Sequence, residues 1–103
     1  SLDGLHLPRY GSYAVLFDVL SGPHQGTYQG VASLGERPTF GVNAPNLETY
    51  VFDFDGDLYD ANVSVALTAF LRPEEAFDDV EALIAQLDQD SAKARELLAD
   101  LKP

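Results

Sequence analysis

The hydrophobic period of the chain changes once, at RPEEAF (residues 72–77), and that change limits the architecture more than any other feature. Before it, apolar residues alternate or run together over short segments bounded by Gly, Pro, Asn and Asp, as strands do. After it, Val80, Leu83, Ile84 and Leu87 recur at helical spacing. Strands followed by a helical segment are the order of an α+β domain, mostly β, with antiparallel pairing through short connections. The 103 residues suffice for one domain with one modest core.

Within the first part, 12–20 is a continuous apolar run suited to a buried strand, and SGPHQG supplies a turn. A second strand is expected over 27–34, where Gly30 marks a bulge or a close backbone approach. GERPTFGVNAPN (35–46), with two glycines and two prolines, reads as a loop. The third strand is expected over 47–54. There Tyr50, Phe52 and Phe54 alternate with Thr49, Val51 and Asp53, and parity puts Glu48 on the aromatic face. Asp55-Gly56 is a hairpin signal, because both central turn positions favour φ > 0. The return strand is expected over 61–71, with Val63, Val65, Leu67, Ala69 and Leu71 on one face. Four or five such strands imply an antiparallel barrel or sandwich.

In the helical part, Asp78 and Glu81 form a capping-box signature. A break near Gln89-Asp90-Ser91 gives two helices, the second with the stripe Ala94, Leu97, Leu98 and Leu101. Val80, Leu87, Ala94 and Leu101 also fit one uninterrupted helix.

Charge narrows the partners. Seventeen acidic residues against six basic ones give a net charge of −11. Such a field repels nucleic acid and anionic membrane, and no apolar run approaches the roughly 20 residues of a membrane span. It repels a nucleotide too, so a phosphate ligand needs a metal ion, backbone N–H groups or one of the few arginines. The absence of cysteine removes disulfides and thiolate metal sites, and fits a cytoplasmic protein.

Most simple site motifs are missing. Asp53, Asp55 and Asp57 lack the glycine and glutamate positions of a calcium-binding EF-hand loop, so a solvated acidic tip is the better reading. His6 and His24 lie in loop segments with no metal-ligand partner at useful spacing and read as surface residues. No G-x-S-x-G elbow and no complete phosphate-binding G-x-x-x-x-G-K-[ST] loop occurs. Two residues resist the bland account. A glutamate on an apolar face costs desolvation energy unless paired or placed at an open mouth, where it is a candidate general base. Glu48 is either that or an edge residue capping the preceding turn. Arg72, held extended by Pro73, either neutralises the acids at the helix start or meets an anion or an aromatic ring.

Taken together, GVASLGERPTFG, NLETYVFDFDGDLY and FLRPEEAFDDVEALIAQLDQDSAKAR resemble the riboflavin kinase domain, the C-terminal module of bacterial bifunctional riboflavin kinase/FAD synthetases. The resemblance runs from about residue 8 to 101. It implies a small antiparallel barrel followed by a C-terminal helix or helices, with residues 1–103 forming the C-terminal portion of the kinase domain. It implies transfer of the γ-phosphoryl group of ATP to the 5′-hydroxyl of riboflavin, giving FMN, with Mg2+ or another divalent cation. Glu48, in the N-x-E-T segment, is then the catalytic base. Val51, Asp53 and Tyr59 fall at nucleotide-binding positions, and Arg72, Glu75 and Phe77 at flavin-binding positions.

Departures accompany the match. The family's upstream Pro-Thr-Ala-Asn motif, whose Thr and Asn hold metal and phosphate, does not occur, and the first barrel strand is expected to go with it. Ser33 stands where the family has Asn, and Asp60 where it has Gly. The adenylyltransferase domain of the parent chain is a further expected partner. Two other readings stay open: a non-catalytic flavin- or nucleotide-binding barrel, and an acidic interaction module.

Overall fold

A computed structural model describes residues 8–39 and 41–100, and shows four strands followed by one helix. Strands β1 (Gly11–Val19), β2 (Gly26–Thr39), β3 (Val42–Val51) and β4 (Val63–Pro73) form one antiparallel sheet in the order β3-β2-β1-β4. Helix α1 (Val80–Leu98) packs across β1, β2 and β4. The mostly β class with a C-terminal helix holds. Among the described residues the sheet does not close, because β3 and β4 lie at its opposite edges.

Central placement explains the run at 12–20: β1 is paired on both sides and buried along nearly its whole length. On the helix side of the sheet, Ala14, Val31 and Phe52 pack with Ala94 and Leu98, flanked by Leu16, Ala69 and Leu71. Tyr13, Val15 and Ala32 form a second cluster on the other face with Leu34, Val65, Leu67 and Phe70. The five residues expected on one face of β4 are therefore divided. Register shifts opposite Ser12/Tyr13 and Ala14/Val15 insert bulges that turn Ala69 and Leu71 toward the helix, while Val65 and Leu67 stay on the far side.

Two connections differ from the sequence reading. Residues 35–39 and 42–46 are strand, not loop: Gly35 pairs with Asn46, Glu36 with Pro45 and Arg37 with Ala44, extending the β2–β3 ladder. The prolines are tolerated because β3 is an edge strand, and β2 beyond Leu34 has no β1 partner. Nor does Asp55-Gly56 make a tight hairpin. Strand β3 ends at Val51, and 52–62 carries the chain to the opposite edge of the sheet. Asp53 (φ 56°) and Asp60 (φ 63°) adopt left-handed backbone in this connection. Aspartate tolerates that region better than most residues, which accounts for Asp60 at a position the resemblance gives to Gly.

Helix α1 is continuous through Gln89-Asp90-Ser91. Its N-cap is Asp79, not Asp78; the Asp79 carboxylate accepts from the Ala82 N–H at 2.7 Å. The expected stripe Val80, Leu83, Ile84 and Leu87 is exposed, and Asp90, Ala94 and Leu98 are the buried positions. Leu101 and His6 lie outside the described residues. His24 is half-buried, with its ring edge-on to Phe54 at 5.1 Å.

Gly30 is a close backbone approach. A Cβ there would meet the Tyr50 carbonyl oxygen at 2.4 Å. Gly30→Ala is expected to lower folding stability by about 1–3 kcal/mol, since backbone rather than a flexible side chain must yield. Chemical denaturation measures this, and an unchanged midpoint would mean that β2 and β3 separate there freely.

Candidate functional site

Strand register assembles a row that no single motif contains. Glu48 on β3 lies opposite Ser33 on β2, Ser33 opposite Ser12 on β1, and Ser12 opposite Arg72 on β4. Directly opposed residues share a face of an antiparallel sheet, so one polar row crosses all four strands on the side of α1. The neighbouring row, Tyr50, Val31, Ala14 and Ala69, is predominantly apolar. The buried stripe of α1 matches this division. Ala94 and Leu98 join the apolar cluster with Ala14 and Val31, while Asp90 meets Arg72.

The Arg72–Asp90 pair is bidentate. Arg72 Nε donates to Asp90 Oδ1 at 2.9 Å and Oδ2 at 3.1 Å, and Nη2 donates to Oδ2 at 2.8 Å. Gln86, one turn earlier on α1, donates to Oδ1 at 3.0 Å. Arg72 Nη1 also donates to the Pro73 carbonyl at 3.2 Å, and the guanidinium stands 5.7 Å from the centroid of the Phe77 ring. Asp90 is 3% exposed, and burying a carboxylate is costly unless its oxygens find such partners. Arg72 therefore answers an acid in the middle of the helix, not the acids at its start.

Between helix and sheet lies a cavity of about 270 Å³, bounded by Ser12, Ser33, Glu48 and Tyr50 below and Leu87 and Asp90 above. Glu48 shares the face of Tyr50, as parity expects, but is itself exposed rather than buried. It sits on the edge strand, with Asn46 Nδ2 at 3.5 Å from Oε1, and its carboxylate borders the cavity mouth. A second recess of about 240 Å³ adjoins it, lined by Glu36, Glu48, Glu74 and Asn46. Tyr10 donates to Glu36 there at 3.2 Å. Partial burial, then the Glu36 carboxylate, raises the Tyr10 phenol pKa, so it stays a donor.

The other predicted positions occupy different places. Val51 is half-buried opposite Gly30. Asp53 accepts from Arg95 Nη1 at 3.1 Å, and the Arg95 guanidinium lies 4.1 Å over the Phe52 ring. Tyr59 is 84% exposed and borders a cleft of about 230 Å³ with His24, Asp57 and Asp60. Glu75 is exposed, and Phe77 is half-buried near Arg72. The structure thus joins Glu48 and Arg72 through one row and leaves Tyr59 on a separate cleft.

Sequence reasoning missed Ser12, Gln86, Asp90 and Arg95. A signal existed for Asp90: it continues the helical stripe Leu83, Leu87, Ala94, Leu98, an acid on an apolar face as Glu48 was thought to be. Among the described residues no cluster of three His, Cys, Asp or Glu is placed to hold a metal ion, and no helix is long and apolar enough to cross a membrane.

A family profile described as flavokinase, riboflavin kinase, matches residues 2–98. A bifunctional riboflavin kinase/FMN adenylyltransferase from Listeria monocytogenes is 37% identical over 97 residues, covering 93% of this chain and 30% of the relative. The Pseudomonas fluorescens protein of the same description is 38% identical over 94 residues, covering 90% of this chain and 29% of the relative. The chain thus spans under a third of the length of these curated relatives. A crystal structure from Streptococcus pneumoniae, described as a macrolide-efflux protein, superposes with a TM-score of 0.74 at 30% identity, covering 87% of this chain and 28% of that one.

Proposed function

Because this chain belongs to the riboflavin kinase family, we propose that it carries the riboflavin-phosphorylating centre of a longer enzyme that also contains an FMN adenylyltransferase domain. The observation that carries this reading is the position of Glu48, a carboxylate at the mouth of a cavity and the head of a polar row. The Glu48 carboxylate accepts the proton of the riboflavin 5′-hydroxyl. The hydroxyl oxygen forms the new bond to the γ-phosphorus of ATP as the bond to the β,γ-bridging oxygen breaks, releasing ADP. Phosphoryl transfer depends chiefly on such positioning and on charge neutralisation.

Arg72 and Phe77 serve the flavin side, with Glu75 beside them on the same connection. Val51, Asp53 and Tyr59 serve the nucleotide side, where Arg95 holds Asp53 and shields Phe52. The divalent cation that accompanies ATP in this family finds no complete donor set among the described residues. The full-length protein incubated with riboflavin and MgATP should form FMN, detected by chromatography. Failure to form FMN while other flavins or alcohols are phosphorylated would overturn the substrate assignment.

The 103-residue polypeptide on its own is expected to form no FMN above background. It contains no Pro-Thr-Ala-Asn motif, and its net charge of −11 leaves little to stabilise a transferring phosphoryl group. Turnover by the isolated polypeptide at the full-length rate would show that these residues suffice.

A further inference from the structure

We infer that Ser12 and Ser33 form the subsite for the hydroxylated side chain of the substrate, with Ser12 as the residue that distinguishes a polyol-bearing ring from a bare one. The inference rests on the riboflavin reading above and adds to it a role for two hydroxyls that lie between the base and the arginine. Both sit in the polar row, Ser33 next to Glu48 and Ser12 next to Arg72. Ser12 is only 3% exposed and still borders the cavity. Its neighbours along β1 are Tyr13, Ala14 and Val15, all buried and apolar in their packing.

Dimensions and chemistry agree. Two strand spacings separate Glu48 from Ser12, about 10 Å, commensurate with an extended five-carbon polyol and the hydrogen bond at its end. The cavity of about 270 Å³ falls below the roughly 300–1,000 Å³ of pockets that enclose a whole drug-sized ligand. It accommodates a side chain while a tricyclic ring stays at its margin. A serine hydroxyl both donates and accepts, which suits a chain of hydroxyls that do the same. Neither serine adds charge, so a neutral polyol enters without opposing the acidic surroundings. Ring recognition is then separable from chain recognition.

The test is fluorescence titration of the full-length protein with riboflavin and with lumiflavin, which keeps the ring but replaces the polyol with a methyl group. Ser12→Ala should raise the riboflavin Kd about 3- to 10-fold, the worth of one neutral hydrogen bond. Lumiflavin binding should not change. Ser33→Ala, at an exposed position where folding is not at stake, should act in the same direction. Equal weakening of both flavins by Ser12→Ala would make the residue a packing element and overturn the inference. Unchanged riboflavin affinity in both variants would overturn it as well, leaving the kinase reading intact. Wild-type protein that binds neither flavin would sink the kinase reading itself, and this inference with it.

Discussion

Glu48→Gln in the full-length protein should lower kcat about 10²- to 10⁴-fold, the usual contribution of a positioned general base. Glutamine keeps the length and hydrogen-bonding reach of the side chain but cannot take the hydroxyl proton. Substrate KM values should move little. Glu48 lies exposed on an edge strand and belongs to neither buried cluster, so thermal stability should also be retained. Steady-state kinetics with riboflavin and ATP, alongside a melt, separates the possibilities. A stable variant with wild-type kcat would remove Glu48 from the mechanism. A variant that unfolds would make it a structural residue of β3.

Asp90→Ala should cost about 3–5 kcal/mol of folding stability, because it strands the guanidinium of Arg72, whose side chain is only 17% exposed. For a domain of this size that corresponds to a fall in Tm on the order of 10–20 °C. The paired replacement Arg72→Met with Asp90→Leu should recover most of the loss, since an apolar pair of similar volume substitutes well for a buried ion pair. Amide exchange in α1, followed with thermal melting of the full-length protein, reports both effects. If Asp90→Ala melts like wild type, the pair does not hold α1 on the sheet. The paired variant should still bind riboflavin poorly if Arg72 contacts the flavin, which separates anchoring from recognition.

Local pattern was enough for the class of fold and not for its connections. Alternation and turn residues marked the cores of β1 and β2, and Gly30 marked a close approach that the Tyr50 carbonyl explains. The prolines of 35–46 argued for a loop because sequence does not reveal which strand will be an edge. Asp55-Gly56 argued for a hairpin because local turn chemistry says nothing about the competing pairing of β4 with β1. The bulges in β4 break its alternation in space but not in sequence, so Leu67 and Ala69 looked alike and face opposite ways.

The site shows the same boundary. Glu48 and Arg72 were legible as isolated anomalies, and the family resemblance supplied roles for them. That they belong to one row, separated by two serines, depends on the register of three strand pairs, which no local spacing encodes. Whether the helix breaks at Gln89-Asp90-Ser91 stayed open in the sequence because the partner of Asp90 lies on β4 and the two meet only after the helix docks.

Among the described residues β3, which carries Glu48, is an edge strand, and an edge left unpaired carries a hazard. Unpaired backbone N–H and C=O groups there offer a template for a strand of another molecule. The composition of β3 counters this. Pro45 contributes no N–H, and Glu48 sets a negative charge beside the ladder. A second copy approaching edge to edge meets another chain of net charge −11. The same carboxylate that the proposed reaction needs within reach of substrate therefore helps keep neighbouring chains from adding to the sheet.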